Sequence, residues 1–226
     1  MQLAGEDKGY TTEVRRRGSR YRYQWLHQGR SREIGVSLNP AHFIQSKAIR
    51  NLTKNYHHRH GASEYIEMAE RDPYRKSFLS PVVEAIASTA AKDREDPLFM
   101  LLTFVQGLPY LEERSGYQAW PTETLINMEG DCSDTAVLYA ALLEQYQAKR
   151  VALVGRKPLW VFLRGKCDRN HLAVGVRSHT GRRYSGTYYE KSGAKWFVAE
   201  TTGTGWGIGG DNCLELATVI VPRYWG

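Results

Sequence analysis

The sequence Cys132-Ser133-Asp134-Thr135-Ala136-Val137-Leu138-Tyr139-Ala140-Ala141-Leu142-Leu143 constrains this chain more than any other stretch. From Cys132 to about Gln147 it reads as a helix that is apolar nearly all round. Such a helix has no solvent face to offer, so it has to be buried centrally with other elements packed on several sides. A loop with Gly130 runs into it, and Cys132 opens the helix. A helix N-terminus carries unpaired N–H groups and partial positive charge, which favours a thiolate, the nucleophilic form of cysteine. Asp134 suits the dipole of the first turn and reads as structural.

The flanking regions set the fold class. Residues 20–28 and 31–37 read as two strands around a Gln28-Gly29-Arg30 turn, with Arg22, Tyr23, Gln24 and Trp25 alternating as a half-buried strand does. Asn39-Pro40, Ser80-Pro81 and Asp96-Pro97 each carry the cap-then-proline signal of a helix start. The first of these helices shows Ile44, Ala48 and Leu52 on one face. Ser63 caps another, with Ile66 and Ala69. Gly107-Leu108-Pro109 stops the helix that begins at Pro97, and a loop follows through Gly116 and Pro121. After the cysteine helix the pattern turns to strands, at 150–154, 171–176, 184–190, 195–201 and 217–221, the third and fourth around Lys191-Ser192-Gly193-Ala194. Helices followed by an antiparallel sheet predict an α+β fold. The expected organisation is a flexible segment over 1–19 and one domain over 20–226, helical from about 39 to 147 and sheet from about 150 to 222.

Composition excludes several classes. No apolar run approaches a membrane span, and residues 1–13 lack the apolar core of a signal peptide, so the expected compartment is the cytoplasm. Three cysteines without a CxxC pair build neither a disulfide framework nor a thiolate zinc site; a Cys167–Cys213 bridge and two free thiols both stay open. The net charge of +7 is concentrated in Arg15, Arg16, Arg17, Arg20, Arg22, Arg30 and Arg32. With Tyr21, Tyr23 and Trp25 between them these arginines suit nucleic acid, but an edge strand protected by charge is the favoured reading. His57, His58 and His60 read as a solvated loop. No metal and no cofactor are expected.

A nucleophilic cysteine needs a base, and the base needs an orienting group. His171 opens a strand and suits the base; Glu200 closes the hairpin strand before Thr201-Thr202-Gly203 and suits the acid. Trp120-Pro121-Thr122-Glu123-Thr124-Leu125 through Gly130-Asp131-Cys132-Ser133-Asp134-Thr135, then His171-Leu172-Ala173-Val174-Gly175-Val176, then Glu200-Thr201-Thr202-Gly203 with Gly205-Trp206, resemble the transglutaminase-like superfamily of cysteine enzymes, and its microbial and archaeal domains most. Phe104 to Tyr110 also resembles a segment that precedes the cysteine loop there.

The resemblance implies a papain-like α+β core and a Cys132–His171–Glu200 triad, with glutamate where many members have aspartate. It also implies an oxyanion hole built from the Cys132 N–H and an upstream side-chain donor, for which Gln106 is the candidate. Trp120 and Trp206 are candidate substrate-binding residues. The stretch from Gly155 to Asn170, with Trp160 and Phe162, is longer than the family pattern and is expected to form a flap. The implied activity is acyl transfer on amide bonds through a thioester, hydrolytic on a protein or peptide substrate. Transamidation or deamidation, and a silent binding module of the same fold, are the alternatives; oligomeric state is left open.

Overall fold

The computed structural model describes residues 13–17, 20–37, 62–111, 118–150, 159–166, 170–178, 183–210 and 215–222. The expected helix from Asn39, the His57–His60 cluster and both Cys167 and Cys213 lie outside them, as does most of the strand expected at 150–154. Its first residue, Arg150, instead ends the cysteine helix. The described elements are α+β: five α-helices and two antiparallel sheets. None of these helices is long and apolar enough to cross a membrane.

The N-terminal sheet has three strands, β1 (Glu13–Arg17), β2 (Arg20–His27) and β3 (Arg30–Ser37), in that order. Residues 13–17 were expected to belong to a flexible segment; they pair instead, Glu13 opposite Gln24 and Arg17 opposite Arg20. The arginine-rich strand β2 is accordingly central rather than an edge. Its alternation is as expected: Tyr21, Tyr23 and Trp25 are buried while Arg20, Arg22 and Gln24 are exposed. Tyr23 and Trp25 both meet the ring of Phe104 edge-on, at 5.6 and 5.4 Å between centroids.

Five helices follow: α1 (Ala62–Arg71), α2 (Ser80–Asp93), α3 (Pro97–Gln106), α4 (Pro121–Asn127) and α5 (Cys132–Arg150). Asp96 caps α3 as its sequence predicts, its Oδ1 accepting from the Leu98 N–H at 3.0 Å. Two other expected caps are not caps. Ser63 lies inside the first turn of α1, and a π-helical turn (Arg75–Leu79) runs straight into α2, so Leu79 rather than Ser80 precedes that helix. The short helix α4 begins where the expected loop ends, with Pro121 in its first turn, and was not expected from the sequence.

The second sheet has five antiparallel strands in the order β6-β7-β5-β4-β8: β4 (Trp160–Lys166), β5 (Asn170–Val176), β6 (Tyr188–Lys191), β7 (Ala194–Ala199) and β8 (Glu215–Ile220). β4 corrects the expected flap. It pairs with β5 on one side and β8 on the other, and Trp160 and Phe162 are fully buried. The apolar run Leu159 to Leu163 is that of a central strand with both faces covered. Trp160 and Phe162 join the main core on the helix face, while Val161 and Leu163 join Ala173, Trp196 and Val198 in a second core on the other. Gly175 sits under that second core, where a Cβ would come within 2.7 Å of Val161 Cγ2 and 3.0 Å of Trp196 Cβ.

α5 touches α1, α2, α3, α4, β4 and β5, and its residues Ala136 to Leu143 are fully buried. Two polar bolts fix the helices around it. Arg32 of β3 reaches Asp93 at 2.7 Å and Glu95 at 2.8 Å, and buried His27 of β2 sits between Glu95 and Thr103. Asp72, fully buried, accepts from Thr122 N at 2.7 Å, Thr122 Oγ1 at 2.8 Å and Tyr74 N at 2.8 Å, joining the end of α1 to the start of α4. Burial raises the Asp72 pKa, and the bonds from Thr122 and Tyr74 oppose that rise. Removing the carboxylate orphans these donors in the interior, at a cost of 1–3 kcal/mol for each unsatisfied group. Asp72→Ala is therefore expected to lose roughly 3 kcal/mol in urea-induced unfolding, and Asp72→Asn, which keeps an acceptor, to lose less.

Candidate active site

The site begins with the first turn of α5. Asp131 caps it: Oδ1 accepts from Ser133 N at 2.8 Å, Asp134 N at 3.0 Å and Ser133 Oγ at 2.7 Å. Asp134 then reaches backwards. Its Oδ1 accepts from Gln118 Nε2 at 2.7 Å and Ala119 N at 2.8 Å, and its Oδ2 from Asp131 N at 3.2 Å. One carboxylate thus ties the segment before Trp120 to the cysteine loop. Burial, aided by the nearby Asp131 charge, pushes the Asp134 pKa up to about 7. Gly130 makes the close approach possible, since a Cβ there would lie 2.6 Å from Asp134 Cβ. Cys132 is left half-buried with a free thiol.

His171 comes from the start of β5 and Glu200 directly follows β7, strands that pair as Val174 opposite Ala199. His171 Nε2 meets Glu200 Oε2 at 2.7 Å. Glu200 is 3 % exposed, and its other oxygen is also occupied: Oε1 accepts from Thr202 N at 2.8 Å and Thr202 Oγ1 at 2.6 Å. The next residue, Thr201, shares a 3.0 Å hydroxyl hydrogen bond with Thr135 on α5. The longer acid is thus held at both oxygens and tied to the cysteine helix. Thr135, Thr201 and Thr202 were not singled out from sequence; the hydroxyl pair beside Glu200 was the available signal.

The electrostatics agree with the geometry. Burial pulls the His171 pKa down, but the Cys132 side chain and Glu200 together outweigh it and raise the imidazole to about 10. Burial works against ionised Glu200, and the bonds from His171 and Thr202 reverse that, leaving its pKa below the ordinary value. Two further residues belong to this neighbourhood. The Tyr65 phenol on α1 is raised mainly by burial; Arg164 on β4 opposes the rise, and Asp131 and Cys132 add to it. Tyr65 also packs edge-on against Phe162 at 6.0 Å.

Gln106, the expected oxyanion donor, has its amide engaged by the acid loop. Its Nε2 donates to the backbone carbonyls of Glu200 at 2.8 Å and Trp206 at 3.0 Å, so both amide hydrogens are used in holding the acid loop. Trp206 is half-buried and lines a cavity of about 230 Å3 with Leu26, Phe99, Gln106 and Gly205; neither Cys132 nor His171 is in that lining. Trp120 is half-buried against the main core. Its indole Nε1 is buried and has no hydrogen-bond partner among the described residues. No cluster of three or more His, Cys, Asp or Glu side chains among the described residues is arranged to hold a metal ion.

No protein-family model, curated protein or solved structure matches this chain.

The histidine–glutamate pair makes stability depend on pH. His171 is raised from 6.5 to about 10, so its contribution is complete below 6.5 and is lost as pH rises through about 10. Glu200 is lowered from 4.5, so its contribution is complete above 4.5 and is lost as pH falls through the lower folded value. The stability difference between the wild type and Glu200→Gln is expected to be widest between pH 4.5 and 6.5 and to narrow towards pH 10. Thermal unfolding of both proteins across that range measures it.

Proposed function

We propose that this protein is a cysteine-dependent acyl-transfer enzyme acting on amide bonds, a hydrolase of the transglutaminase-like kind with a papain-like core. The observation that carries the proposal is one imidazole, 2.7 Å from a buried carboxylate, set beside a free thiol on the first turn of a buried helix. Glu200 engages Nε2, which leaves Nδ1 as the ring nitrogen that serves the sulfur. No element of this arrangement is local in sequence, since 39 residues separate Cys132 from His171 and 29 separate His171 from Glu200.

In the proposed cycle His171 takes the thiol proton and the sulfur attacks the amide carbonyl carbon. The oxyanion is held by the backbone N–H of Cys132, which no acceptor within the described residues takes. The second donor is Trp120 Nε1, in place of Gln106. It is a buried donor without a partner, one residue beyond the Ala119 N–H that Asp134 clamps to the first turn of α5. His171 then gives its proton to the departing amine as the C–N bond breaks, leaving a thioester on Cys132. Water attacks that thioester, with His171 taking its proton, and the acid product leaves. The raised imidazole pKa keeps a proton on His171 for the departing amine. Water is always at hand as acceptor, which favours hydrolysis over transfer to a second amine, and the substrate class is a protein or peptide.

The proposal is tested by hydrolysis of peptide, isopeptide and glutamine libraries, with the wild type alongside Cys132→Ala and His171→Ala. Cleavage that disappears in both variants supports it. Absence of activity on all three libraries, together with iodoacetamide alkylation of Cys132 that His171→Ala leaves unchanged, overturns it. Once a substrate is found, Trp120→Phe is expected to lower kcat by about 100-fold with little change in KM, the loss typical of one oxyanion donor.

A further inference from the structure

Strand β4 carries one residue unlike its neighbours. Val161, Phe162, Leu163 and Gly165 are buried, and Arg164 between them is exposed. Side chains alternate along a strand, so Arg164 shares a face with Phe162, and that is the face covered by the helices. Tyr65 of α1 lies there, its ring edge-on against Phe162 at 6.0 Å. Arg164 stands two residues further on and reaches solvent.

The strand register sets this arginine beside the candidate active site. Arg164 is opposite Leu172 on β5, and the next pair is Gly165 opposite His171. The Tyr65 phenol links the two sides, since it feels the charge of Arg164 and also those of Asp131 and Cys132. A cation, a phenol and the thiol thus share one corner of the molecule, and the proposed acyl transfer uses only the thiol. Among the described residues no acid pairs with Arg164, and nothing hydrogen-bonds to its guanidinium or to the Tyr65 hydroxyl. Asp131 has its Oδ1 occupied by the three donors of the α5 cap.

We propose that Arg164, with the Tyr65 hydroxyl as a second donor, selects substrates that carry a carboxylate next to the amide attacked by Cys132; this rests on the acyl-transfer reading of that cysteine. A guanidinium fork matches the two oxygens of a carboxylate, and hydrogen bonds between such charged partners are about twice as strong as neutral ones. The phenol keeps its proton, because burial raises its pKa, and so remains a donor. An Asp or Glu side chain and a free C-terminus of the substrate share this chemistry.

Paired alkylation of Cys132, followed by mass spectrometry of its peptide, tests the proposal without turnover. Iodoacetate carries a carboxylate and iodoacetamide does not; both consume the same thiolate, so their rate ratio cancels the ionisation of the sulfur. Arg164→Gln is expected to lower the iodoacetate-to-iodoacetamide ratio by about threefold or more, the effect of one charge lost within several ångströms in a partly solvated site. Arg164→Lys is expected to keep most of the ratio. Lys195→Gln, which removes a cation near the start of β7 at the end of the sheet away from His171, is expected to leave it unchanged. Thermal unfolding checks that the variants fold. A smaller fall in Arg164→Gln overturns the proposal, as does an equal fall in Lys195→Gln, which would mark net charge alone. The source of the carboxylate is read from protection of Cys132 against iodoacetamide by acetyl-Ala-Glu-amide, acetyl-Ala-Ala with a free carboxylate, and acetyl-Ala-Ala-amide. An advantage of the first over the third identifies a side chain, and an advantage of the second identifies a chain end; no advantage of either overturns the proposal. Failure of the acyl-transfer reading shows separately, as alkylation that His171→Ala leaves unchanged.

Discussion

Burial of α5 on every side is the constraint from which the rest of the architecture follows. A helix without a solvent face needs partners all round, and here α1 to α4 and the strands β4 and β5 provide them. Its axis is then fixed, and so is the position of its first turn, at the junction of helices and sheet. There the helix meets numerous polar groups. Asp131, Asp134, Gln118 and the Ala119 N–H close one network around the cysteine loop. Thr135 opens a second contact, towards Thr201. The geometry around Cys132 is thus inherited from an apolar core at one end and a closed hydrogen-bond network at the other.

The same logic explains how a glutamate fits beside His171. A side chain with one more methylene than aspartate has one more torsion to fix. Here both carboxylate oxygens are bound, one by the imidazole and one twice by Thr202. Its backbone carbonyl is held by Gln106, and its neighbour Thr201 is held by Thr135. Each of these contacts comes from a different element, so the ring of His171 is oriented by the whole junction rather than by one strand. Preorganisation of this kind is what a base between a thiol and an acid requires.

Local patterns were legible wherever a single element decides them. The alternation from Tyr21 to Trp25, the Asp96 cap, the stop at Gly107 and the all-apolar α5 are set by period and by backbone chemistry, and all four appear in the structure as read. Readings that depended on what lies across the chain went astray. Trp160 and Phe162 look like a flap when judged by insertion length. They are core because β5 and β8 flank them, which the run of apolar residues alone would have indicated. Ser80-Pro81 carries a valid cap signal that the preceding π-helical turn overrides. The convergence of Cys132, His171 and Glu200 was read from their order and element types; of the threonines that fix the acid, only the hydroxyl pair beside Glu200 left a signal in the sequence.

Gln106 illustrates why residue type and position in the chain leave a role undecided. A glutamine at a helix end upstream of a nucleophilic cysteine has the right chemistry to donate to an oxyanion. Its amide has two hydrogens, and two carbonyls of the acid loop take both. Releasing either to a substrate would orphan a buried carbonyl, at a cost comparable to what the new bond returns. Trp120 is in the opposite condition. Its indole N–H is already buried and has no partner among the described residues, so an acceptor that reaches it gains a bond and breaks none of those described. A buried donor without a partner is a standing cost to the folded chain, and a developing oxyanion is the kind of acceptor that would remove it only at the moment of reaction. Within the proposed cycle the same energetic asymmetry weighs against the glutamine and for the tryptophan.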